Sequence, residues 1–209
     1  EIKEGLITKI IEKPKNPLSN LAVIGVYLLT PKIFDVIKRL KPSWRNELEI
    51  TDTLQMMLEE KQKIIYNTVK ENWKDTGTPE DIIQANKIIL KDLEPYFKGK
   101  KESTVSLEGN VSVGNGTLIK DRVKIIGPVI IGNNCKIYGD AIIGPNTSIG
   151  NECIISGGEI KDSIIMNNCE IEKNVNLKNS IISSNSSIKQ NNTQNEQIFL
   201  LGEGTKVLF

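Results

Sequence analysis

An α/β segment followed by an all-β parallel solenoid is the fold class that this 209-residue chain predicts, and three observations carry it. From Leu107 to Ile155 an aliphatic residue recurs at every sixth position: Leu107, Val113, Ile119, Ile125, Ile131, Ile137, Ile143, Ile149 and Ile155. A small or β-branched residue stands two places before each, from Val105, Val111 and Thr117 to Cys135, Ala141, Thr147 and Cys153, and such a hexapeptide repeat is the signature of a parallel β-helix. Gly-Asn pairs return every eighteen residues, at Gly114-Asn115, Gly132-Asn133 and Gly150-Asn151. Both residue types tolerate positive φ, so the pairs read as stacked corners of a triangular coil made of three hexads. The first 95 residues lack the period and instead mix short apolar runs with amphipathic helical patterns.

Taken in order, Glu1 to Pro14 reads as a strand, a turn at Gly5 and a second strand ending at Pro14. Leu21 to Leu29 is an unbroken apolar run of the length of a buried strand. Pro31 opens a helix to Arg39, with Ile33, Val36, Ile37 and Leu40 on one face. A second helix runs from Ile50 to Lys61, with Leu54, Met57 and Leu58 inward and Thr51 or Asp52 at its start. Lys63 to Thr68 reads as a short strand. Thr78 is the N-cap of a third helix, with Pro79 at N1 and Glu80 and Asp81 in the first turn, ending near Leu93.

The segment Glu94 to Glu102, with Pro95, Gly99 and three lysines, joins the two architectures. The expected organisation is an α/β portion over 1–95, a linker over 96–103, the β-helix over 104–190 and a tail over 191–209. After Ile155 the register resumes at Ile165, Ile171 and Leu177, and the ten-residue step predicts one hexad plus a four-residue loop bulging near Gly157 to Ile160. Roughly five coils are expected. The repeat fades through Ile182 and Ile188 into a polar run, Asn191 to Gln197, and the apolar tail Ile198 to Phe209 is suited to cap the open end.

Composition removes several function classes. The chain is 38 % apolar and 25 % charged with a formal net charge of +1, which points to no nucleic-acid or acidic-membrane partner. The longest apolar stretch, Leu21 to Thr30, is half of what a bilayer span needs, and a cytoplasmic protein is the default expectation. Cys135 and Cys153 occupy the small slot of the repeat and read, with Cys169, as core residues. No histidine occurs anywhere, which excludes Ser-His and Cys-His nucleophiles, imidazole metal sites and imidazole bases. Acyltransferases built on such hexads typically use a histidine to deprotonate the acceptor, so an acetylating helix is disfavoured.

Three segments in one order, Glu12-Lys13-Pro14, Arg45-Asn46-Glu47-Leu48-Glu49-Ile50-Thr51-Asp52 and Trp73-Lys74-Asp75-Thr76-Gly77-Thr78, resemble the sugar-phosphate nucleotidylyltransferases. A fourth, Ala22 to Tyr27, is similar to the family's strand after the Glu-Lys-Pro turn, and the best likeness is to the long thymidylyltransferase form that appends a β-helix. The resemblance implies that the front segment is the C-terminal part of a Rossmann-like nucleotidyltransferase domain and that the β-helix is left-handed.

It further implies attack by a sugar-1-phosphate on the α-phosphorus of a nucleoside triphosphate, with dTDP-glucose the expected product and a UDP-sugar the alternative. Carried over by position, Glu12 accepts bonds from sugar hydroxyls and Lys13 holds the sugar phosphate. Val23 and Gly25 present backbone to the hexose, Trp73 walls the sugar site, Glu47 contacts substrate, and Asp75 ligates Mg²⁺. Asn46 stands where thymidylyltransferases usually carry glycine. The family's Gly-rich triphosphate loop, the basic residue after it and a further metal-binding aspartate are expected upstream of Glu1, so the 209 residues alone are expected to be inactive. A rival from another class is a non-catalytic module whose flat β-helix faces pack into a homo-oligomer.

Overall fold

The computed structural model describes residues 1–70, 73–189 and 198–208, so the predicted polar run 191–197 and Phe209 lie outside the described residues. The chain divides into two compact units, Glu1–Lys70 and Glu71–Phe209. Among the described residues no helix is long and apolar enough to cross a membrane.

The first unit opens with β1 (Ile2–Lys3) and β2 (Leu6–Ile7), paired antiparallel with Ile2 opposite Ile7. Glu4 and Gly5 both carry positive φ, 50° and 76°, the two-residue turn whose twist matches that of the flanking strands. The second strand stops at Ile7, seven residues short of Pro14, where its pairing with β1 ends. Two helices follow, α1 (Ile33–Ile37) and α2 (Ile50–Glu59). Their 3.6-residue patterns bury Ile33 and Val36 against Leu54 and Met57, with Ile10 completing a small core. Ile37 and Leu58 are only partly covered.

Three expectations fail in this unit. Leu21–Leu29 is not a strand: it forms no ladder, and Val26 and Leu28 are 83 and 102 % exposed. An all-apolar strand needs neighbours on both edges and both faces, and among the described residues this unit contains only the two-stranded ladder. Lys63–Thr68 likewise forms no strand. The N-cap of α2 is Glu49, extended at φ −95°, and no side chain caps the helix, because the Glu49 carboxylate is engaged elsewhere.

In the second unit α3 (Pro79–Lys91) starts as predicted. Thr78 Oγ accepts the Asp81 amide at 3.2 Å and Pro79 occupies the first turn. The change from helix to coil falls between Lys91 and Lys100, and α3 packs with the coil in one unit. Among the described residues the coil is a parallel β-solenoid of three sheets with seven, six and five strands. The register runs Ile119, Ile137, Ile155 and Ile171 in the largest sheet, Val113, Ile131, Ile149 and Ile165 in the next, and Leu107, Ile125, Ile143 and Ile160 in the smallest. These inward aliphatics form one continuous buried core, with Leu107 partly buried at its edge. Leu200–Leu201 and Lys206–Leu208 return as a further rung on two of the sheets, giving about six turns rather than five. Phe199, Leu201 and Val207 close over the core from that rung.

No loop bulges near Gly157. Ile160 is fully buried and pairs with Ile143, so the ten-residue step from Ile155 to Ile165 is two five-residue sides. Each side loses one residue at a corner. Gly157 and Gly158, at φ 139° and 83°, make one sharp bend, and Asp162, at φ 49°, does alone what Gly144, Pro145 and Asn146 do one rung earlier.

The Gly-Asn pairs do lie at corners, but for a different reason. The left-handed residue is the one that follows each pair, Gly116, Asn134 or Glu152. Glycine is required because rungs touch there: a Cβ on Gly132 would stand 2.6 Å from both the Gly150 carbonyl and Asn151 Oδ1. The asparagines form a ladder in which the amides of Asn115, Asn133 and Asn151 donate to Oδ1 of Asn133, Asn151 and Asn167, each at 2.8 Å.

Beside it runs an interior column of thiols. Cys135, Cys153 and Cys169 are buried, and their Sγ atoms donate to the carbonyls of Gly150, Met166 and Ser183 on the next rung at 3.1, 3.0 and 3.2 Å. Hydrogen bonding with the flanking thiols of Cys135 and Cys169, together with burial, pushes the Cys153 thiol up. These cysteines are the core residues that the repeat predicts.

Candidate active site

The first unit gathers charge around Arg45. Its backbone amide donates to Ser43 Oγ at 3.1 Å, and a tight turn is closed by the Ser43 amide on the Glu47 carbonyl at 2.8 Å. Asn46 sits in that turn at φ 61°. The position demands a residue at ease in the left-handed region, which asparagine tolerates as glycine does.

From this turn the guanidinium reaches three carboxylates: Glu47 at 3.1 Å, Glu49 at 3.2 Å and Glu12 at 3.6 Å. Glu49 also accepts from Ser43 Oγ at 3.0 Å. Glu12 is held from its other side by Thr51 Oγ, on the first turn of α2, at 2.8 Å. The Ile10 amide on Gln55 Oε1 at 2.9 Å fixes the same stretch of chain to α2.

The Glu12 carboxylate is therefore oriented through both oxygens and still has lone pairs to offer. Three acids against one arginine leave the cluster acceptor-rich, as recognition of hydroxyl groups requires. Tyr27 adjoins it: burial, then the charge on Glu12, pushes its phenol up.

Lys13 follows in the left-handed region at φ 36°, a backbone that an unbranched residue rarely adopts. Its side chain is exposed and makes no hydrogen bond or ion pair with a described residue. Val23 and Gly25 lie in an open stretch, where a Cβ on Gly25 would meet nothing within 4 Å.

Trp73 and Asp75 belong to the second unit. Both are exposed, and Asp75 makes no hydrogen bond or ion pair with a described residue. Next to it Lys74 Nζ pairs with Asp81 Oδ1 at 2.5 Å, which holds the Asp81 carboxyl below its ordinary value. The Asp75 carboxylate, a hard anionic donor with no hydrogen bond or ion pair to a described residue, is of the chemistry that would hold a Mg²⁺ ion. Among the described residues no group of three acidic or cysteine side chains converges as an all-protein cage.

Thus the structure brings Glu12 and Glu47 together, and Lys13 and Asp75 make no side-chain hydrogen bond or ion pair with a described residue. Sequence reasoning missed Arg45, Ser43, Glu49 and Thr51 as the frame around Glu12. Five of the eight residues from Arg45 to Asp52 take part in the network or in the turn that shapes it, so the motif itself was the signal. Arg45→Met is expected to cost about 1–2 kcal/mol, since it leaves Glu49 and Glu12 facing each other without their cation. Urea denaturation measures this; an unchanged midpoint would show that the carboxylates do not depend on Arg45.

Residues 1–92 match the nucleotidyl transferase family model, and residues 125–208 match that of the GMPPB C-terminal domain. A glucose-1-phosphate thymidylyltransferase of Streptomyces antibioticus is 36 % identical over 205 residues, 98 % of this chain and 57 % of the relative. A low-salt glycan biosynthesis nucleotidyltransferase of Haloferax volcanii is 44 % identical over 110 residues, 53 % of this chain and 31 % of the relative. The bifunctional protein GlmU of Methanococcus aeolicus is 41 % identical over 116 residues, covering 54 % and 28 %. The chain thus spans about half or less of the length of these relatives. With the Arg45-centred motif, the order of the segments and the solenoid behind them all in agreement, the chain belongs to the sugar-phosphate nucleotidyltransferase family, as a nucleotidyl transferase domain joined to a parallel β-solenoid.

Proposed function

We propose that the chain supplies the sugar-phosphate end of an enzyme that joins a sugar-1-phosphate to a nucleoside triphosphate with release of pyrophosphate, forming dTDP-glucose. The observation that carries the reading is the Glu12 carboxylate held between Thr51 and Arg45 and followed by Lys13, whose side chain pairs with no described residue. The reaction needs in-line alignment and charge neutralisation more than a nucleophilic side chain, so a chain without histidine can perform it.

In this reading Glu12 accepts hydrogen bonds from the hexose hydroxyls, with Glu47 beside it. Lys13 neutralises the sugar phosphate as a mobile point charge. Val23 and Gly25 offer backbone groups to the sugar ring, and the Trp73 indole walls it. Asp75 is the chain's ligand for Mg²⁺, an ion that screens the triphosphate oxygens when bound. The thymidylyltransferase relatives support dTTP and glucose-1-phosphate as the substrates.

The test is pyrophosphate release by the parent protein with Mg²⁺, glucose-1-phosphate and either dTTP or UTP. Turnover with dTTP supports the reading, preference for UTP replaces thymidine by uridine, and no release with any sugar phosphate sinks it. Glu12→Gln should raise the KM for the sugar phosphate about tenfold, the worth of one charged hydrogen bond, with a smaller change in kcat.

A further inference from the structure

We propose that the solenoid sets the position of the Trp73–Asp75 segment through a polar latch on α3, making Asn86, Lys87, Ser148 and Asp162 positioning residues. This goes beyond the reading above, although its consequence for catalysis rests on the role given there to Asp75.

Two tethers act in series. At the near end Lys74 pairs with Asp81 at 2.5 Å, and Asp81 also meets the Thr78 hydroxyl at 2.8 Å, so the segment carrying Trp73 and Asp75 is tied to the first turn of α3. At the far end α3 is tied to the coil. Ser148 Oγ donates to Asn86 Oδ1 at 2.5 Å, Asn86 Nδ2 donates to the Asn146 carbonyl at 3.3 Å, and Lys87 Nζ pairs with Asp162 Oδ1 at 2.7 Å. Asp162 accepts in addition from Asn146 Nδ2 at 2.9 Å. Asp162 is the one-residue corner that shortens the coil, so its carboxylate is presented by a constrained backbone.

The apolar packing of α3, through Ile83 and Leu90, does not itself fix the helix lengthwise. Aliphatic side chains on a ribbed sheet can slip by a rung, about 4.8 Å, at modest cost, whereas directional hydrogen bonds cannot. Packing is moreover incomplete at the end nearer Asp75. A recess of about 240 Å³ opens between Pro79 and the last rungs at Ile181, Leu200, Leu201 and Gly202. The part-buried polar contacts at Asn86 and Lys87 are what define the register.

The experiment uses this chain with Trp44→Phe, which leaves Trp73 as its one indole, and reads acrylamide quenching of its fluorescence. Ser148→Ala with Asp162→Asn should raise the quenching constant about twofold as the segment loosens, with the far-UV spectrum of the coil retained. The charge swap Lys87→Asp with Asp162→Lys, keeping Ser148, should return it to the starting value. In the parent enzyme the broken latch should raise half-saturating Mg²⁺ several-fold. Unchanged quenching in a folded double variant overturns the latch. Raised quenching with unaltered Mg²⁺ dependence supports it and removes Asp75 from the metal instead.

Discussion

In the parent enzyme Asp75→Asn is expected to lower the rate of pyrophosphate release at least about a hundredfold, equivalent to about 2.7 kcal/mol of transition-state stabilisation. The substitution keeps the size of the side chain and replaces an anionic oxygen pair by a neutral amide, a poor ligand for a hard divalent ion. Stability should not follow activity. Asp75 makes no hydrogen bond or ion pair with a described residue, so the asparagine breaks no interaction and the melting temperature should stay within a degree or two. Pyrophosphate assays across a Mg²⁺ series, beside thermal denaturation, check both halves. Full activity in Asp75→Asn would take the residue out of the site, and a large fall in melting temperature would assign it to the fold.

Gly132→Ala is expected to destabilise the solenoid by about 3 kcal/mol, from overpacking against backbone plus a broken rung of the asparagine ladder. Moving the Asn151 side chain would not make room for the added methyl, because the Gly150 carbonyl carbon and oxygen also stand 2.6 Å away. The rungs would have to separate at that corner, and the hydrogen bond from the Asn133 amide to Asn151 would lengthen with them. Gly202→Ala offers the contrast. Nothing lies within 4 Å of its Cβ position and its φ is not left-handed, so the change should be neutral to about 0.5 kcal/mol. Denaturant midpoints for the two variants decide the matter, and equal effects would show that rung contact at the Gly-Asn corners does not limit the coil. In a solenoid each rung is stabilised by its neighbours, so the Gly132 loss should also split the cooperative transition.

The hexads were legible because inward side chains in a solenoid repeat with the backbone, and nine aliphatics in phase leave one face to bury. The same logic misread the step after Ile155. Counting by six hid Ile160 as the missing member of the series, since a five-residue side needs a tighter corner and sequence periodicity does not report corner geometry. The Gly-Asn pairs were placed at corners correctly but explained by φ, when contact between rungs is what demands glycine.

In the first unit α2 was visible from its 3.6-residue stripe, while the apolar run Leu21–Leu29 was not a strand, because a strand exists only with partners. The motifs singled out Glu12, Glu47 and Asp75; Glu12 and Glu47 meet at Arg45 in the first unit, and Asp75 lies in the second. Arg45 as the hub, and Ser43 and Thr51 as its supports, came from hydrogen bonds spanning up to 39 residues of chain.

By itself the sequence determined what is written locally and repeatedly: the coil, its inward column, the capped start of α3 and the family that the ordered motifs mark. Tertiary structure alone decided what depends on distance across the chain: which carboxylates share Arg45, which carbonyls accept the buried thiols, and where α3 rests on the coil. The physical reason is that periodic burial and helix capping act between residues a few positions apart. Orientation of a charged group is fixed by whatever the fold brings beside it.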